Sequence, residues 1–169
     1  MKTVDITELL SKNRIAAKAK LKRQGLYLPR RPVFARPKLP SNLTDLDDAQ
    51  LMALFVRFTR YQDHVHGLVA TAEIDEHAVE TMLEIAKARY LAKSWTGSSS
   101  DRIAVAKAEA TLDVQVRDYD DQFASCKALR KMYVVLFDSL TRDASVVSRE
   151  ISRRIGRSDG ERRSDRYTP

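Results

Sequence analysis

Cysteine occurs once in the 169-residue chain, at Cys126, so no internal disulfide and no multi-cysteine zinc or iron–sulfur site can form. Glycine and proline occur five times each, which excludes a collagen-like repeat. Four of the five prolines sit in residues 26–40, so no proline interrupts the chain from there to Pro169. Apolar runs such as Tyr133–Phe137 fall far short of the ~20 residues that cross a bilayer. The basic N-terminus has no apolar stretch of the kind a secretory signal needs. A hydrophobic fraction of 43% nonetheless excludes a wholly disordered chain. These absences predict one domain working inside a cell, with no membrane partner.

Signatures of catalysis are missing as well. No G-x-x-x-x-G-K-[ST], G-x-G-x-x-G or G-x-S-x-G occurs. His64 and His66 are two apart on a helix and point in different directions, and His77 lies three turns beyond His66. No metal ion could join the three. Glu73, Glu76, Glu80 and Glu84 make an acidic stripe without the Glu-x-x-His repeats of a dinuclear bundle, and it reads as a solvated face or a landing strip for another subunit's basic arm. Cys126 has no histidine placed beside it by sequence. The expectation is a non-enzyme without cofactor or metal.

Charge is plentiful but unevenly placed. Residues 1–40 carry 11 Lys or Arg against Asp5 and Glu8, whereas residues 41–146 carry 12 basic and 17 acidic side chains. Residues 147–169 return to seven Arg against four acids. An acidic body therefore has a basic arm at one end and a basic tail at the other. Terminal cations of this kind neutralise phosphates and release counterions, or dock on an acidic protein surface.

The arm has two parts. Residues 5–24 read as a short basic helix with an imperfect apolar stripe of Ile6, Leu9, Leu10, Ile15 and Leu21, ended by Gly25. Lys12, Arg14, Lys18, Lys20, Lys22 and Arg23 spread around the rest of its circumference. Such a helix is poorly stable alone and is expected to order on a partner. Pro29, Pro32, Pro37 and Pro40 then impose an extended path through Arg30, Arg31, Arg36 and Lys38, with Tyr27 and Phe34 among the cations. Aromatics between cations suit a strap that stacks bases and grips phosphates, or one that anchors in a hydrophobic groove. These twelve residues, Lys12 to Lys38, are the candidate nucleic-acid contacts.

At Thr44 the chain changes character, and Thr44 with Asp47 matches a capping box. Leu51, Leu54, Phe55, Phe58, Val65, Leu68, Ala72, Val79, Met82, Ala86 and Tyr90 recur at helical spacing, which predicts one helix to about Ser94. Residues 95–101 read as a turn, and a second helix is expected from Arg102 to about Ile155, supported by the i,i+4 pairs Asp113–Arg117, Asp138–Arg142 and Glu150–Arg154. The expected fold is all-α: a long antiparallel, coiled-coil-like hairpin over 41–155, a basic arm over 1–40 and a disordered Arg-rich tail over 156–169, with Gly156 as the stop. Phe55, Phe58, Tyr61, Tyr119, Phe123, Tyr133 and Phe137 broaden the apolar stripes beyond a strict coiled-coil seam. That surplus predicts a homo-oligomer, ahead of the alternative that the N-terminal segment packs back.

Several features together carry a resemblance. Helix one ends near Trp95, a Gly/Ser turn follows, and Ser100–Ala110 reads Ser-Asp-Arg-Ile-Ala-x-Ala-x-Ala-Glu-Ala. Asp113-Val114, the aromatic-rich Tyr133–Phe137 and Val147-Ser148-Arg149-Glu150 come next. Over residues 50–155 this layout resembles small helical proteins of tailed phages, in particular the UvsY recombination mediators. The resemblance implies rings that bind single-stranded DNA and help load a recombinase in the host cytoplasm. Residues 26–40 have no counterpart in that family, so it implies no particular DNA-contacting residue. A helicase is a further candidate partner beside the recombinase, and the competing expectation is a packaging or virion component, small-terminase-like or an adaptor, whose arm grips a portal, motor or neighbouring subunit.

Overall fold

A computed structural model describes residues 6–94, 105 and 107–167, with Ser94 and residues 158–167 described by their backbone alone. All regular structure among these residues is helical: α1 (Ile6–Arg23), α2 (Asp48–Ser94) and α3 (Val114–Tyr167), with residues 105 and 107–110 helical as well. The long helices α2 and α3 pack against each other as a helical hairpin. The expected turn at 95–101 and the expected start of the second helix at Arg102 lie outside the described residues.

The seam of α2 is more regular than its apolar residues suggest. Leu51, Phe58, Val65, Ala72, Val79 and Ala86 fall seven apart, and every one is buried. On α3, Tyr119, Leu140 and Val147 belong to one seven-residue series and Val116 and Ala144 to another, and all five are buried. A seven-residue period is the coiled-coil repeat.

The chain divides into two compact units, Met1–Leu28 with Leu68–Tyr133 and Pro29–Gly67 with Val134–Pro169. The first has a core of Ile6, Val79, Leu83, Ala86, Val116 and Tyr119, with Leu10, Met82, Phe123 and Cys126 against it. The second is built on Leu51, Phe58, Val65, Leu140, Ala144 and Val147, flanked by Leu43, Leu46, Phe55, Tyr61 and Phe137 among others. In both, the aromatic surplus meets residues from the N-terminal third of the same chain. The alternative of the N-terminal segment packing back is therefore realised, because Ile6, Leu10, Leu43 and Leu46 lose water only by lying on the long helices.

Local chemistry explains where the elements begin and end. Gly25 adopts φ 74°, the Leu26 amide donates to the Leu21 carbonyl at 3.0 Å and the Gly25 amide to that of Lys22 at 3.1 Å. This is a Schellman stop at the expected glycine. The cap of α2 lies three residues beyond the one expected. The Gln50 amide donates to Asp47 Oδ1 at 2.7 Å and the Asp47 amide to Gln50 Oε1 at 3.1 Å, whereas Thr44 donates through its amide and hydroxyl to Asn42 Oδ1. The box closes where its acceptor is matched by Gln at the third helical position.

Two expectations for the second helix are corrected. It is not continuous from Arg102: residues 111–113 form a turn, and Asp113 Oδ1 accepts the amides of Gln115 (3.0 Å) and Val116 (3.2 Å). Asp113 is thus a helix cap that satisfies orphan amides, not half of an exposed ion pair with Arg117. Nor does Gly156 end the helix or open a disordered tail, because α3 continues through it to Tyr167. Glycine costs a helix about 1 kcal/mol relative to alanine, a weakness that does not stop propagation where no proline or left-handed residue follows.

Candidate nucleic-acid interface

The twelve expected contact residues fall into two groups, one on each unit. On the first, α1 is seated by Ile6 and Leu10 and by an ion pair. Arg14 Nε donates to both carboxylate oxygens of Asp75, at 2.8 and 3.0 Å, and Arg14 Nη2 donates to Oδ2. Asp75 is only 3% exposed and is the one buried charged residue among those described. A buried carboxylate needs such a partner to offset its desolvation. The hydrogen bond to Asp75 in turn holds the Arg14 guanidinium above its ordinary pKa.

Seating α1 this way turns four cations outward. Lys18, Lys20, Lys22 and Arg23 are exposed and pair with no acid among the described residues. Lys12 spends its charge on Glu8 at 2.7 Å, one turn away. Tyr27, just past the Schellman turn, is 73% exposed, an apolar ring left in water.

On the second unit the proline-rich strap is held by its aromatic and its third proline. Phe34 is half-buried beneath the Arg57 guanidinium, 5.1 Å from the ring centroid, and Pro37 is buried. Arg36 Nη2 donates to Ser139 Oγ at 3.2 Å, and His64 Nδ1 lies 3.4 Å from the Pro29 carbonyl oxygen. Phe34 is therefore an anchor with one face already covered by a cation, unlike Tyr27. Arg30, Arg31 and Lys38 remain exposed and pair with no acid among the described residues.

Below the strap, at the start of α2, Arg154 makes the most extensive contact of any side chain here. Its Nη1 donates to the Leu46 carbonyl and to Asp48 Oδ1, both at 2.8 Å, its Nη2 to the carbonyls of Leu43 (3.1 Å) and Thr44 (3.3 Å), and its Nε to Glu150 Oε1 at 2.9 Å. All five N–H donors are used, a match to the guanidinium fork that no lysine could supply. The sequence offered the Glu150–Arg154 pair but no sign of the three backbone carbonyls. Arg153 and Arg154 together, through their hydrogen bonds, lower the Glu150 carboxyl from 4.5 to about 2.

The remaining titratable candidates serve structure. Glu76 pairs with Arg130 Nε and Glu73 lies 4.0 Å from Arg130 Nη1, so half of the acidic stripe engages α3 of the same chain instead of a neighbour's arm. His66 stacks at a tilt on Phe137, centroids 5.1 Å apart, and His77 faces Glu80 at 3.6 Å on the surface. Burial, and after it Asp75, push the Cys126 thiol up, which opposes thiolate formation. Among the described residues, no three metal-ligating side chains converge and no helix is long and apolar enough to cross a membrane. Compared with known proteins, the chain matches no protein family, no curated sequence and no solved structure.

Proposed function

We propose that this chain is a non-enzymatic, oligomeric phage protein that binds single-stranded DNA without sequence preference and acts in the host cytoplasm as a recombination or replication mediator. The observation that supports it best is the presentation of seven exposed cations, Lys18, Lys20, Lys22 and Arg23 on α1 and Arg30, Arg31 and Lys38 on the strap, on segments seated against long helices and with no ion pair to an acid among the described residues. Cations held outward without partners contact phosphates irrespective of base, and the exposed Tyr27 supplies a ring for stacking. The partner recombinase or helicase would meet the same complex.

The test is fluorescence anisotropy of labelled oligo-dT and a matched duplex at two salt concentrations. Wild type is compared with a full-length variant carrying Gln at Lys18, Lys20, Lys22 and Arg23. Wild type should prefer the single strand, and the variant's salt dependence should shallow by about 0.7 per lost contact. Wild type that does not bind, or a variant that binds like wild type, overturns the reading.

A second reading, a packaging or virion-assembly component, is favoured by one different observation. Leu51, Met52, Ile151 and Ile155, bordered by the Asp48–Arg154 ion pair, line a groove of about 190 Å³ on the second unit, with Met52 and Ile155 exposed. Apolar surface of this kind suits contact between copies. A discrete oligomer that ignores oligo-dT and dissociates on Met52→Lys would select this reading.

A further inference from the structure

The Arg14–Asp75 pair does more than seat α1. Side-on pairing uses Nε and one N–H of Nη2, which leaves three of the five guanidinium N–H groups, including both on Nη1, without a partner among the described residues. Arg14 is also 43% exposed, although Asp75 is almost wholly buried. The guanidinium is therefore clamped from beneath with its far edge presented to water. Arg14 also lines a groove of about 330 Å³, together with Leu10, Ser11, Ile15, Lys18 and Gln122 among others. Lys18 lies one turn beyond Arg14 on the same side of α1, and Gln122 of α3, whose Nε2 donates at 3.4 Å to both carboxylate oxygens of Asp118, adds an amide to the lining.

We infer that this groove is a phosphodiester subsite in which Arg14, oriented by Asp75, grips a backbone phosphate of single-stranded nucleic acid with Lys18 and Gln122. The inference rests on the reading of the chain as a single-strand binder and adds a fixed point to it. The other exposed cations of α1 are not clamped by any acid among the described residues, and any polyanion could engage them. A guanidinium held by a buried carboxylate has already lost its rotamer freedom, so it binds a phosphate fork without that cost. Asp75 is the positioning residue. The groove suits a phosphate because two cations, Arg14 and Lys18, line it with the Gln122 amide beside them, and a phosphodiester has several acceptor oxygens to meet them.

The inference makes a prediction opposite to that of net charge. Asp75→Asn removes a negative charge from beneath a basic surface, so unspecific attraction alone would tighten binding. Loss of the clamp should instead weaken oligo-dT binding, by roughly tenfold for one lost charge-assisted hydrogen-bond pair. Gln122→Leu changes no charge and should weaken binding several-fold, with the salt dependence unchanged. Cys126 packs against the same core as Ile6 and Leu10 of α1, so its alkylation rate reports whether α1 stays seated in each full-length variant.

The inference is supported if both variants alkylate slowly, keep their helix content and bind oligo-dT more weakly than wild type. It is overturned if a variant with α1 seated binds as tightly as wild type or tighter. Should Asp75→Asn unseat α1, seen as fast alkylation, Gln122→Leu decides alone on the same criterion. Wild type that fails to bind oligo-dT at all overturns the single-strand reading, a result distinct from tight wild-type binding that ignores Asp75.

Discussion

Gly25 and Gly156 provide a paired test of backbone conformation, because a methyl group added at either position meets no atom within 4 Å. Steric packing therefore drops out, and the sign of each substitution depends on the backbone alone. Gly25 stands at φ 74°, where an L-side chain costs about 1–2 kcal/mol. Gly156 lies inside α3, where alanine gains about 0.8–1 kcal/mol over glycine. Gly156→Ala should therefore slow exchange of the amides at 157–160, which donate to the carbonyls one turn earlier, by about four- to fivefold. Gly25→Ala should speed exchange of the amides at 25 and 26 by about fivefold or more, because it loosens the Schellman turn. Hydrogen–deuterium exchange at neutral pH reads both. Unchanged or faster exchange after Gly156→Ala would refute a helix running through that position, and a neutral Gly25→Ala would refute the left-handed stop.

The remaining predictions concern the seam and the arginine staple. Phe58→Ala, at a fully buried seam position, should cost about 3–5 kcal/mol and lower Tm by roughly 10 °C, whereas Met132→Ala on the exposed side should stay within about 0.5 kcal/mol, both read by circular dichroism melting. Glu150 is held at about 2 in the folded chain, below its ordinary 4.5, so its contribution is complete above about pH 4.5 and is lost as pH falls toward 2. Glu150→Gln should therefore flatten the fall in urea midpoint between pH 4.5 and 2, and an unchanged slope would contradict the pairing. Arg154→Lys should lower the urea midpoint more than Arg153→Lys, because only Arg154 reaches the carbonyls of Leu43, Thr44 and Leu46.

Much of the architecture was legible because it rests on periodicity and on breakers. The helix from Asp48 to Ser94 ends where its apolar recurrence ends, and α1 stops at Gly25, where only glycine adopts the required φ cheaply. The errors came where one local signal had two outcomes. Thr44–Asp47 and Asp47–Gln50 are both capping pairs on paper, and the second forms while Thr44 turns to Asn42. Asp113 looked like an i,i+4 partner of Arg117, but it caps, because the chain turns at 111–113. Of the candidate contacts, charge alone could not separate Lys18, which faces water, from Arg14, which reaches Asp75 across 61 residues of chain.

What the sequence by itself determined was the helical hairpin, the Schellman stop at Gly25, the absence of helix in the proline-rich strap and the concentration of cations in the first 40 residues. These follow from interactions within a few residues: apolar spacing, glycine and proline backbone limits, and local charge. Only the tertiary structure decided that α1 and the strap lie on the long helices of their own chain. It also decided that Phe34 is an anchor where Tyr27 is exposed, and that Arg14 and Arg154 are held by groups far along the chain, whereas Lys12 and Arg153 pair only within their own helices. The physical reason is that burial is a property of pairs of distant surfaces. An arginine becomes structural only when a carboxylate or carbonyl far along the chain, such as Asp75 or Leu43, is brought out of water beside it.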